Sequence, residues 1–178
     1  NSRAGGHINP NYSDTFVFTN DFAALLPDVP APAGHDAGLL RTAGVRGECR
    51  VICFSPRHDL TLALMSDAER RRVVDLWSSQ FSELAPRWRW VQVFENRGEL
   101  MGASNPHPHG QIWALDDLPH QARLEDDRQR DHAARHGTPL LLDYARLELE
   151  LAERVVERND HWLAVVPFWA TWPFETLL

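Results

Sequence analysis

The stretch Asn105-Pro-His107-Pro-His109-Gly-Gln111, running straight into the apolar Ile112-Trp113-Ala114, constrains this chain more than any other segment. Proline biases the residue before it away from the α region, so Pro106 and Pro108 hold the segment extended. In an extended backbone successive side chains alternate between faces, which puts His107, His109 and Gln111 on one side. Gly110 has no Cβ, so a bulky group can come close to the backbone there. Two imidazoles and an amide projecting together into one cleft form a catalytic constellation.

The residue types narrow the chemistry. With a reference pKa of about 6.5, an imidazole is mostly neutral near pH 7 and therefore nucleophilic. Attack on phosphorus gives a phospho-histidine intermediate, which divides one difficult transfer into two easier steps. An amide donates and accepts hydrogen bonds but neither protonates a leaving group nor activates water. A nucleophilic His109 beside Gln111 therefore favours transfer over hydrolysis.

Composition bounds the rest. A chain of 178 residues, 43% hydrophobic and with seven tryptophans, is long enough for one globular domain with a sizeable core. No apolar run approaches the length of a membrane span, and no signal-peptide pattern is present. The net charge of −7 argues against a general nucleic-acid surface. Cys49 and Cys53 lie about 13 Å apart if their segment is a strand, too far for a disulfide, and read as buried thiols in a reducing cytosol.

Along the chain, residues 1–14 are polar and turn-rich. Thr15–Thr19 has strand character and ends at Asn20-Asp21, which the local pattern alone explains as a turn or helix cap. Pro27–Ala37 reads as a proline-rich surface loop. Arg50–Phe54 is a second strand, leading into Ser55-Pro56-Arg57-His58. Ser66-Asp-Ala-Glu69 is a capping box that opens a helix to about Leu84, with Val73, Trp77, Phe81 and Leu84 as its apolar stripe and Arg70-Arg71-Arg72 as a solvated face. Trp90–Asn96 and Gln111–Ala114 are further strands. Pro119–His136 and Leu140–Leu151 are helical, and Arg154–Glu157 with Trp162–Val166 form an antiparallel hairpin.

Ser104-Asn-Pro-His-Pro-His-Gly-Gln111 resembles the active-site signature of the galactose-1-phosphate uridylyltransferase family, a branch of the histidine-triad superfamily in which the hydrolases carry a third His where Gln111 stands. Asn9-Pro10-x-Tyr12-x-x-Thr15-x-Val17-Phe18-x-Asn20-Asp21-Phe22, Arg50-Val-Ile-Cys-Phe-Ser-Pro56-x-His58, Val91-Gln-Val-Phe-Glu-Asn96 and Trp172-Pro-Phe-Glu175 resemble other segments of that family in the same order. The resemblance implies an α/β (α+β), histidine-triad-like fold, a mainly antiparallel sheet flanked by helices. It implies that 1–178 is one lobe of a two-lobed enzyme, the N-terminal one. Asn1 in place of Met and the apolar end Glu175-Thr-Leu-Leu178 read as cuts through a longer chain.

The resemblance also implies roles. His109 is the nucleophile that takes the uridylyl group from UDP-glucose, releasing glucose 1-phosphate; galactose 1-phosphate then receives it in a ping-pong cycle. Gln111 bonds the phosphoryl oxygens. Gly102, Ala103 and Ser104 match the loop that meets the phosphates, Asn20, Asp21 and Asn96 match nucleotide contacts, and Ala4 matches an apolar contact to the uridine. His58 and His107 match two ligands of a structural zinc whose two cysteines lie upstream of this chain, while Cys49 and Cys53 match neither. Glu125 matches a carboxylate ligand of a further metal, often iron. A cytoplasmic homodimer is implied. Two rival readings are a related ADP-sugar phosphorylase and a nucleotide-binding lobe without turnover.

Overall fold

A computed structural model describes residues 3, 6–30, 34–103 and 105–178. The chain is a mixed α/β protein with antiparallel sheets, and it divides into two compact units, Asn1–Leu118 and Pro119–Leu178. The sequence gives no linker at that boundary.

The first unit is built on a four-stranded sheet of β1 (Phe16–Thr19), β4 (Gly47–Cys53), β6 (His109–Leu115) and β5 (Trp90–Phe94), in the order β1-β4-β6-β5. All three pairings are antiparallel. Partners across such a ladder share a face, so the register sorts the side chains. Val17, Ile52, Gly110, Ile112 and Val93 form rows on one face, and Phe16, Cys53, His109, Gln111 and Phe94 form rows on the other. The first face is closed by helix α1 (Asp67–Leu84): Val73 and Leu84 are fully buried against a cluster that includes Ile52, Phe54, Ile112 and Ala114. The expected stripe holds except at Phe81, which is half exposed.

Helix α1 begins where the capping box requires. Ser66 Oγ accepts from Glu69 N–H, and Glu69 Oε2 accepts from Ser66 N–H at 2.7 Å, which satisfies donors that an uncapped helix leaves orphaned. Arg50 reaches the helix from the sheet, donating to Glu48, Gln80 and Glu83. Part of the segment expected to be loop instead forms a small exposed hairpin, β2 (His35–Ala37) with β3 (Leu40–Thr42). Its turn is made by Asp36, which accepts from Gly38 N–H, and by Gly38 at φ 70°, chemistry that the surrounding prolines obscure.

In the second unit, α2 (His120–His136) and α3 (Leu140–Leu151) occupy the expected ranges. Gly137 ends α2 in the left-handed region, φ 73°, where glycine is unstrained. A two-stranded ribbon, β7 (Val155–Arg158) with β8 (Leu163–Val165), follows. No helix is long and apolar enough to cross a membrane. Cys49 and Cys53 are buried free thiols on β4, as their spacing predicts.

Candidate active site

The open face of the first unit's sheet carries the signature. His109 and Gln111 lie side by side on it, as the alternation predicts, and Trp113 continues the row. His109 lines a cleft of about 700 Å³ together with His58, Glu95, Asn96, Gly102, Ala103 and His107. Gln111 stands one pleat further along β6, outside that lining. Its Oε1 accepts from Trp113 Nε1 at 3.2 Å, so its NH₂ is the group left to donate.

Each histidine is held differently. His109 Nδ1 lies 2.6 Å from the carbonyl oxygen of His107. A carbonyl only accepts, so Nδ1 carries the proton and the lone pair of the neutral ring sits on Nε2. His107 is buried, with Nε2 3.0 Å from the Tyr12 hydroxyl and Nδ1 3.1 Å from His58 Nδ1. Its backbone N–H donates to Asn105 Oδ1 at 3.0 Å, an Asx turn that shapes the entry to β6. Burial, reinforced by His58 and His109, pushes the His107 imidazole down from its ordinary range and keeps it neutral. Burial, with help from Cys53, pushes the Tyr12 phenol up, so it stays protonated.

Two imidazole nitrogens 3.1 Å apart are close to the separation of two ligands on one tetrahedral zinc, about 3.3 Å for bonds of about 2.0–2.1 Å. Among the described residues, no third histidine, cysteine or carboxylate completes a metal-binding group with them. The chemistry of the pair suits zinc, but the pair supplies only two of the four ligands of a closed site. Glu125 lies on α2 in the second unit, exposed, accepting from Gln121 Nε2 at 3.1 Å.

Of the remaining expected residues, Gly102 and Ala103 line the cleft, but their amides donate to the Glu99 and Gly98 carbonyls at 2.9 and 3.2 Å. Those amides are committed within the turn and do not point as free donors to an anion. Asn20 and Asp21 line a second hollow of about 410 Å³, with Phe22 and Cys49. The turn reading of this pair holds at Asn20, whose Oδ1 accepts from Phe22 N–H at 3.0 Å, while no helix follows and Asp21 pairs with the distant Arg3. Arg3 also donates to the Thr19 carbonyl at 2.9 Å and lies 4.0 Å over the Phe18 ring. Ala4 and Ser104 fall outside the described residues.

Three residues escaped the sequence reading. Glu95 lines the cleft half-buried, and burial raises its carboxyl above the ordinary range against the pull of Arg97 and His109. Its only signal was a polar residue at a strand end. Tyr12 meets His107 across 95 residues and Arg3 meets Asp21 across 18, contacts that no local pattern encodes.

An antiparallel sheet in which a His-x-His-x-Gln run, His107 to Gln111, leads into an inner strand is a histidine-triad-like arrangement, and solved structures agree. A uridylyltransferase mutant superposes with a TM-score of 0.80 at 25% identity, over 97% of this chain and 56% of that one. The family model for the galactose-1-phosphate uridyl transferase N-terminal domain matches residues 1–119, and that for its C-terminal domain matches 125–178. The chain belongs to the galactose-1-phosphate uridyl transferase family. The two matches meet where the structure divides. Among curated relatives, the galactose-1-phosphate uridylyltransferase of Haemophilus influenzae is 51% identical over the whole of this chain and 51% of its own length. That of Rattus norvegicus is 50% identical over 99% of this chain and 47% of its own length. The chain spans about half the length of the curated relatives it matches.

Proposed function

We propose that the protein carrying this chain moves a uridylyl group from UDP-glucose to galactose 1-phosphate through a uridylyl-His109 intermediate. The observation that carries this reading is the 2.6 Å hydrogen bond from His109 Nδ1 to the His107 carbonyl, at the edge of a cleft. It presents Nε2 as the attacking lone pair. The N–P bond forms as the bond from the α-phosphorus to the departing glucose 1-phosphate oxygen breaks. The ring becomes cationic, and the carbonyl that accepts Nδ1–H stabilises that charge. In the second half-reaction, a phosphate oxygen of galactose 1-phosphate attacks the same phosphorus and the N–P bond breaks, returning neutral His109. No proton need leave the ring.

Gln111 suits this cycle, because its NH₂ can hold a phosphoryl oxygen and cannot activate water. The two hollows are also suitably spaced. Asn20 N–H donates to Cys49, which pairs with Trp113, four residues or about 13 Å along β6 from His109. A nucleotide with its α-phosphorus at His109 reaches Asn20 and Asp21 with its nucleoside, passing Asn96, Gly102 and Ala103 on the cleft side.

The same reading gives His58 and His107 to a structural zinc completed by ligands outside this chain, and Glu125 to a second metal, iron. It takes the working form as a cytoplasmic homodimer, and the two free buried thiols favour a reducing compartment.

Incubation with UDP-glucose labelled in the uridylyl group is the test. The protein should retain label in an acid-labile, alkali-stable bond, and His109→Gly should not. Label retained by His109→Gly, or absent from the wild type, sinks the reading.

A further inference from the structure

Tyr12 lies in the loop before β1, with its ring stacked on Phe16 at a centroid distance of 5.2 Å and an angle of 14°. Phe16 stands in the same cross-sheet row as Cys53 and His109. Tyr12 is thus braced against the sheet in the row of the nucleophile, and its hydroxyl is 3.0 Å from His107 Nε2.

The consequence follows from what His107 does with its other groups. Its Nδ1 meets His58, its N–H is held by Asn105, and its carbonyl accepts from His109 Nδ1. A ring engaged at both nitrogens cannot turn about its Cβ–Cγ bond without breaking a contact. With the ring and the N–H both held, the Cα between them is anchored, which limits how far the carbonyl that follows can turn. We infer that Tyr12 is a positioning residue: its hydroxyl locks the His107 ring, and the locked residue presents the carbonyl that selects the Nδ1–H tautomer of His109 and aims Nε2. Nothing in the transfer chemistry brings Tyr12 to substrate. This inference rests on His109 being the nucleophile.

Removal of the hydroxyl leaves His107 Nε2 without its partner and the ring held at Nδ1 alone, which widens its range of motion. The loss of rate should be on the order of tenfold, short of the hundredfold that a full 1 Å misplacement can cost. Tyr12→Phe keeps the ring stack and deletes only the oxygen. In the complete protein, kcat for uridylyl transfer should fall by that order while KM for UDP-glucose stays essentially unchanged. Long-range ¹⁵N–¹H spectra of labelled histidines should show the wild-type His109 as the Nδ1–H tautomer and the variant as a mixture. Tyr12→Gln, which returns a hydrogen-bonding group, should recover part of the rate.

An unchanged kcat in Tyr12→Phe overturns the inference, and so does a fallen kcat with the His109 tautomer intact. A wild-type His109 found as the Nε2–H tautomer overturns it with no variant at all. Wild-type protein that takes no label from UDP-glucose sinks the transfer reading instead, and the tautomer spectra still decide the role of Tyr12.

Discussion

His109 Nδ1 hydrogen-bonds the carbonyl oxygen of His107, two residues earlier in the same chain, at 2.6 Å. The proposed nucleophile is therefore oriented by the backbone of its own segment, and its aim depends on how firmly that segment is seated. Three features seat it: the Asx turn at Asn105, the ladder that starts with His109 opposite Cys53, and the packing beneath Gly110.

Gly110→Ala should damage both fold and activity. An added Cβ would lie 2.8 Å from the Phe94 carbonyl oxygen and 2.9 Å from the Phe54 ring, and the carbonyl belongs to a paired strand that cannot give easily. Overpacking of this kind costs about 1–3 kcal/mol, which a lowered urea midpoint would register. Uridylylation should fall with it, because the displaced residue adjoins His109. Wild-type stability in this variant would show that the strands separate freely there.

Gln111→His should shift the outcome of the reaction rather than stop it. A histidine at this position can serve as a general base toward water, typically worth about 10²–10⁴-fold. The measurement is UMP release against UDP-galactose formation, with and without galactose 1-phosphate. UMP release should rise relative to transfer. A wild type that already releases UMP as fast as it transfers would mark a hydrolase.

Glu95→Gln should stabilise the protein at neutral pH. Burial raises the Glu95 carboxyl, so over the window from its ordinary value of about 4.3 up to its raised value the folded state binds more protons than the unfolded state. Stability therefore declines as pH rises through that window, and the cost remains at pH 7. Glutamine removes it. Melting curves should show the variant above wild type at pH 7 and level with it below about pH 4.

Arg50→Ala should cost about 2–3 kcal/mol, less than the 3–5 of a fully buried pair because Glu83 is half exposed. Of its three hydrogen bonds, each 2.7 Å, those to Gln80 and Glu83 tie β4 to α1 and the third holds Glu48, which is little exposed. The loss should appear in urea unfolding at low and moderate salt alike, because the Arg50–Glu48 part of the network is shielded from solvent.

Much of this molecule was legible in the sequence. The capping box placed α1, proline and alternation placed His109 and Gln111 on one face, and the spacing of Cys49 and Cys53 excluded a disulfide. Those features are local and depend on backbone geometry that a few residues determine. The close neighbour expected at Gly110 was there too, but it is the core residue Phe54 with the Phe94 carbonyl, because Gly110 faces α1's side of the sheet. What stayed hidden was non-local. Nothing near Tyr12 announces a partner 95 residues away, and Phe81 keeps helical spacing although the core does not extend to it. Nor does the sequence show that the amides of Gly102 and Ala103 are used within their own turn.

The strand order β1-β4-β6-β5 has a consequence for a chain emerging from the ribosome. β6 is the last of the four to be made, yet it lies between β4 and β5. At roughly 5–20 residues per second, the apolar edge of β4 waits several seconds for its partner, a period in which unpaired edges invite association with other chains. Insertion of β6 ends that exposure, and the same event brings His109 opposite Cys53 and His107 against Tyr12 and His58. The nascent chain thus assembles its candidate site and loses its sticky edge in one step, so molecules that aggregate during synthesis are also ones in which that site never formed.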